Sequence, residues 1–230
     1  MPKTPDKSDL LERFEATGDE AAYLEALPLY KAAAAVGNDA GDLLGYGYLL
    51  QSRGRDLLGQ AIAQYERAIA IDPADDKPRY QLISARAALG DADREVDVYT
   101  DRLAADPTSV REHRLLATAL LAAREHDRAL KVIDRGLELA PDDRRLIDCR
   151  AEARSRLDPE GALADWSRAL ELDSDDIGPL YMSAFLLERL GRLEEAIDTW
   201  RSIIDWNKAR GYDLQTEWPK KELQRLELKR

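Results

Sequence analysis

A single cysteine and two histidines leave this 230-residue chain little of the usual material for redox, metal or nucleophilic chemistry. Cys149 cannot close an intramolecular disulfide and lies far in sequence from His113 and His126, so neither a disulfide framework nor a cysteine-rich metal site is expected. A small, half-buried helical position is its expected place. No phosphate loop of the GxxxxGK type occurs, and no nucleophile or third ligand stands at a useful spacing from either histidine. The chain is therefore expected to be no enzyme and to carry no cofactor or metal. Long apolar runs are missing as well. The run Ala32 to Val36 is far too short to cross a bilayer, and the opening MPKTPDKSDLLERF has no apolar core of the length a secretory signal needs. The expected compartment is the cytoplasm. Positive charge is also in deficit, with 34 Lys and Arg against 45 Asp and Glu, a net charge of -11 and a pI near 4.8. Phosphate backbones and anionic lipid both attract an excess of Lys and Arg, so neither nucleic acid nor a membrane is an expected partner.

What is present is a folded chain's composition, 44% hydrophobic and 34% charged, arranged with a period. Pro73, Pro107 and Pro141 are spaced 34 and 34, and a further copy, LELDSDD, carries Ser174 where the proline would stand. A bulky apolar column moves in step: Tyr65, Tyr99, Ile133, Trp166 and Trp200, at intervals of 34, 34, 33 and 34. Ala61, Ala129, Ala162 and Ala196 precede it, with Glu95 as the exception, and Gly47, Ala117, Ala151 and Ala184 make a second small column broken by Ile83. Gly54, Gly90 and Gly191 fall between the two halves of a unit, where a tight turn suits glycine. Apolar residues recur at three and four, as in Leu193, Ala196, Ile197, Trp200, Ile203 and Ile204, which is helical spacing. Each unit thus reads as two antiparallel helices: 42–53 with 59–72, 77–89 with 92–105, 110–123 with 126–139, 144–157 with 160–172, and 178–190 with 193–206. Proline ends the second helix of a unit, and the aspartates that follow it are placed to cap the next helix.

GRLEEAIDTWRSII at 191–204 and GQAIAQYERAIAIDP at 59–73 resemble the second helix of a tetratricopeptide repeat, with its small turn residue, alanine, aromatic and helix-ending proline. The resemblance implies an all-α, right-handed α-solenoid superhelix of stacked antiparallel helix pairs. Five repeats span 40–206. A flexible tail is expected at 1–8, a degenerate N-terminal helix pair at 9–39 with Pro28 kinking or restarting its second helix, and a loop with a capping helix at 207–230. The sequence departs from the pattern in RGRDLLGQA, with two extra residues in the first turn, in Asp158-Pro159, and in Glu95 and Arg102.

In stacked repeats of this kind the first helices line a concave groove. Their inner stripe here carries Leu44 and Tyr48, then Lys77, Tyr80, Gln81 and Ser84, then Arg111, Arg114 and Thr118, then Arg145, Asp148 and Glu152, and finally Tyr181, Met182 and Phe185. Lys77, Arg111 and Arg145, spaced 34 and 34, would form a basic centre with Arg114, and aromatic ends would lie on either side. Such a groove suits a partner peptide or protein segment with an acidic stretch and apolar anchors, because Arg binds carboxylates bidentately and aromatics supply compact buried area. The competing reading pairs Arg145 with Asp148, and Arg114 with Asp148 or Glu152, and packs the aromatics between units. The clamp with which some family members hold a C-terminal carboxylate is not reproduced by Leu44, Tyr48, Tyr80, Ser84, Arg111 and Leu115. Two function classes follow, a protein-interaction scaffold or adaptor, and a self-assembling homo-oligomer that uses the C-terminal helix or the repeat ends.

Overall fold

Helix starts and stops follow the aspartates, prolines and glycines of the period. In the computed structural model, which describes residues 6–37, 39–54 and 57–229, Asp39, Asp143 and Asp158 each accept a hydrogen bond from a backbone amide three residues on, and Asp19 from one two residues on. Asp75 and Asp176 do the same for Lys77 and Gly178 at 2.9 and 2.8 Å. These six aspartates serve helix N-termini, whose free amides and dipole favour carboxylates. Pro73, Pro107 and Pro141 all sit in the turns that follow a second helix.

Thirteen α-helices and no strand are found among the described residues. They are α1 (Lys7–Thr17), α2 (Glu20–Val36), α3 (Ala40–Gln51), α4 (Leu58–Ile71), α5 (Lys77–Leu89), α6 (Ala92–Ala105) and α7 (Val110–Ala122). There follow α8 (His126–Leu139), α9 (Arg144–Arg154), α10 (Pro159–Leu172), α11 (Gly178–Arg189), α12 (Leu193–Ala209) and, after a 3-10 turn at Asp213–Thr216, α13 (Glu217–Glu227). α2 runs unbroken through Pro28. Of the expected N-terminal tail, residues 1–5 lie outside the described residues, as do 55 and 56 of the lengthened first turn.

The chain forms two compact units, one of residues up to Asp101 with Thr118–Ala123, the other of Arg102–Ala117 with Arg124 onward. In the first, α1 packs on α2, α2 on α3, α3 on α4 and α4 on α5; in the second, each helix from α8 to α13 packs on the next. The two sequence columns form the core. Ala61, Ala129, Ala162 and Ala196 are wholly buried, and so are Tyr65, Ile133 and Trp200, with Tyr99 and Trp166 nearly so. Bulky side chains of second helices fill space left by small residues on first helices. A Cβ on Gly47 would lie 2.5 Å from the Tyr65 ring, and one on Gly45 2.4 Å from Tyr30. Ala151 shares a cluster with Trp166, as Ala184 does with Trp200.

One departure from the pattern is compensated where it occurs. Glu95 is buried opposite buried Arg86, which donates to it at 2.5 Å and to Glu66 at 2.6 Å. In the fourth repeat, buried Asp165 accepts from Arg150 at 2.7 and 2.9 Å and from Arg154 at 3.0 Å. A buried ion pair is costly to break on one side, because the remaining charge keeps its desolvation penalty.

Gly47→Ala is expected to destabilise by about 1–3 kcal/mol through overpacking against Tyr65, outweighing alanine's better helix propensity. Gly59→Ala, which meets nothing within 4 Å in α4, should be neutral or stabilising. Urea unfolding monitored by circular dichroism checks both, and equal effects would contradict the close-approach argument. Glu95→Ala should cost on the order of 3 kcal/mol, and the Arg86→Leu, Glu95→Leu double variant clearly less, in the same assay.

Candidate functional site

The candidate first-helix residues fall in both compact units and are taken unit by unit. In the first, Leu44 leans on the cluster built by Leu50, Leu58, Tyr65 and Leu82. Tyr48, Tyr80 and Gln81 are half-buried, whereas Lys77 and Ser84 are exposed. Desolvation pushes the Tyr48 hydroxyl above its ordinary value. Ser84 accepts a hydrogen bond from the Gln51 amide at 3.3 Å, and Gln51 Oε1 accepts from the Tyr65 hydroxyl at 2.9 Å. That side-chain chain ties the surface of α5 to the core position of α4. Thr118, on α7, is half-buried in the same unit.

In the second unit the basic residues are interleaved with carboxylates. Arg114 lies 3.6 Å from Asp143, the residue that caps α9. Arg144 reaches Asp148 at 3.0 Å and Asp176, just before α11, at 2.5 Å. An arginine on one first helix thus meets the aspartate at the start of the next. Arg111 and Arg145 are half-buried and engaged within the protein. Burial pushes the Asp148 carboxyl above its ordinary value while Arg144 and Arg145 pull it down. Glu152, although exposed by surface area, is also raised by partial desolvation, against the pull of His126 and Arg145. Arg114, Arg144 and Arg145 thus stand among Asp143, Asp148, Glu152 and Asp176, which offset their charge. Arg144 escaped sequence reasoning because it lies one position off the 34-residue column of Arg111 and Arg145.

His113 and Cys149 are core residues. His113 is 2% exposed, with Nδ1 2.9 Å from the carbonyl oxygen of Ser109, and Cys149 is buried.

Aromatic side chains converge at the end of the second unit. Tyr181 and Phe185 of α11 meet wholly buried Trp200 of α12 edge-on, with ring centroids 5.8 and 5.5 Å apart. Trp218 of α13 stacks on Tyr181 at 5.7 Å and lies 5.8 Å from Phe185. α13 is held in place by buried Leu226, by Leu223 against the Trp200 cluster, and by Arg225, which donates to Glu188. Glu188 in turn accepts from the Trp200 indole at 2.9 Å. Despite these contacts, Met182, Phe185 and Trp218 remain 42%, 44% and 45% exposed. Trp218 stands outside the repeats, so no column could have placed it beside Tyr181 and Phe185. Offset and edge-on ring pairs of this kind fix geometry as well as burying area.

No helix among the described residues is long and apolar enough to cross a membrane. Residues 110–153 match the model of a tetratricopeptide repeat. A segment of 119 residues, 51% of the chain, is 31% identical to the human protein O-mannosyl-transferase TMTC1, and this chain spans 13% of that protein's length. Among solved structures, a thermophilic tetratricopeptide-repeat protein of Thermus thermophilus superposes with a TM-score of 0.59 at 21% identity, over 79% of this chain and 97% of that one. Yeast Tom70 superposes with a TM-score of 0.59 at 15% identity, over 97% of this chain and 46% of that one. At these identities the superpositions speak for fold alone. With the all-helical pairs, the buried small and bulky columns and the repeat matched at 110–153, they show that this chain has the tetratricopeptide-repeat fold.

Proposed function

We propose that the chain is a non-catalytic, cytoplasmic protein-interaction scaffold that holds a peptide or protein segment of its partner on its first-helix faces. In the second unit the anchor site is the surface of Tyr181, Met182, Phe185 and Trp218, and Arg111, Arg114, Arg145, Asp148 and Glu152 form the polar stretch beside it. Leu44, Tyr48, Lys77, Tyr80, Gln81, Ser84 and Thr118 make the corresponding face of the first unit.

The observation that carries this reading is the partial exposure of Met182, Phe185 and Trp218 over a rigid aromatic base. Aromatic anchors in preformed positions lose little side-chain entropy on binding and dominate interface energies. The arginines contribute differently. Their carboxylate neighbours already satisfy them in part, so an acidic segment of a partner would exchange one ion pair for another, and such exchanges favour specificity over affinity. Leu223 and Leu226 of α13 are packed within the chain, which favours a capping role for that helix over an oligomer built on them.

The test compares two variants verified as equally helical, Met182→Glu with Phe185→Glu, and Arg111→Glu with Arg114→Glu and Arg145→Glu, in co-purification from the host lysate. The aromatic variant is expected to lose the wild-type partner, with at least about tenfold weaker retention, the size of one lost hot-spot contact. The charge variant should retain it more weakly or exchange it. A partner held equally by wild type and both variants would remove these faces from the function. Light scattering after size exclusion that shows a concentration-dependent dimer, abolished by the aromatic variant, would turn the same surface over to self-assembly.

A further inference from the structure

The turn that leads into α8 and the turn that follows α9, both in the second unit, border an open surface cavity of about 460 Å³. Its size lies within the range of small-molecule sites. Arg124, Arg128 and Arg156 line it. Arg128 is paired with Glu125 at 2.6 Å, whereas Arg124 and Arg156 have no hydrogen bond or ion pair among the described residues. That is unusual in this chain, where most arginines are engaged with a carboxylate or a carbonyl. Counting Asp127 and Glu125 against the three arginines, with His126 neutral, the lining carries 3 − 2 = +1 in a protein of net charge -11.

Arg124 also has the backbone of a glycine. Its φ is 63°, and it is the one non-glycine with positive φ among the described residues. It stands 34 positions after Gly90 and 67 before Gly191, in the turn column that those glycines occupy with φ of 86° and 73°. A left-handed backbone at a residue with a Cβ costs roughly 1 kcal/mol or more, and such strain concentrates at functional positions. Here the strained turn brings an unpaired guanidinium to the cavity. His126 lines it too, and the buried Nδ1 of that ring has no hydrogen-bond partner among the described residues. Ala153 and Leu157 supply an apolar side, and Leu157 is 79% exposed.

We infer that this cavity binds a phosphate monoester carried on an apolar body, its phosphate held by Arg124 and Arg156 and its body against Ala153 and Leu157. Two guanidinium groups arriving from different turns match a group with three acceptor oxygens better than a carboxylate with two. The phosphate reaches such a site either as a small free molecule or as a phosphorylated side chain of a partner. The site shares no residue with the aromatic anchor surface, so it stands or falls independently of the scaffold reading.

Isothermal titration of the full chain with phenyl phosphate, benzoate and inorganic phosphate tests the assignment. Phenyl phosphate should saturate a single site, with benzoate and inorganic phosphate both weaker. Arg124→Gly restores the residue found in the other turns, so it should fold at least as stably as wild type and yet bind phenyl phosphate roughly tenfold more weakly, as expected for one lost charge-assisted contact. Arg156→Gln should weaken binding to a similar degree. A neutral peptide with one phosphotyrosine, titrated in parallel, distinguishes a phosphoprotein from a small phosphate by whichever binds more tightly. No saturation by phenyl phosphate at millimolar concentration, unchanged binding in both variants, or equal binding of benzoate would overturn the proposal.

Discussion

The structure depends on one packing relation, a bulky side chain on each second helix set against a small residue on a first helix. Tyr65 over Gly47, Trp166 beside Ala151 and Trp200 beside Ala184 are three instances of it. The relation works because it satisfies two demands together. A small residue lets two backbones approach, and the large ring that fills the remaining space buries more apolar area than any pair of medium-sized side chains would at that distance. Since the relation recurs from one helix pair to another, the core extends by repetition, and each pair still needs its neighbours to cover it.

That dependence explains the exceptions as much as the rule. Where the second repeat replaces a small residue with Glu95, the carboxylate does not face apolar surface; it meets Arg86, and the pair replaces part of the apolar contact. In the fourth repeat, which keeps Ala162 in that column, buried Asp165 is likewise held between Arg150 and Arg154. Internal ion pairs of this type contribute little net stability against a hydrophobic alternative, but they penalise any register in which the partners separate. In a chain built from similar repeats, that penalty counters mispairing of one repeat's helix with another's.

How much was legible in the sequence follows from the same relation. The 34-residue spacing of Pro73, Pro107 and Pro141 and the column from Tyr65 to Trp200 set out the helices and their buried faces, because period and burial are properties of the chain order. Features that depend on pairs of residues from different columns were not legible. Arg144, one position off the expected column, links to Asp176 across a whole repeat. Trp218 closes over Tyr181 and Phe185 from outside the repeats, where no column existed to place it. Arg124 could have been found, since adding 34 to Gly90 lands on it, but an arginine in a turn draws no notice until its backbone is seen to be left-handed.

On the reading proposed above, the partner is held at the face where α11, α12 and α13 meet. The most direct test is photo-crosslinking in the native host, with a photoreactive amino acid placed at Met182 in one strain and at Arg135, an exposed residue of the second helix α8, in another. A discrete crosslinked species is expected from position 182 and none from position 135. A species formed from position 135 alone would contradict the anchor-surface reading and move the partner to the second-helix face.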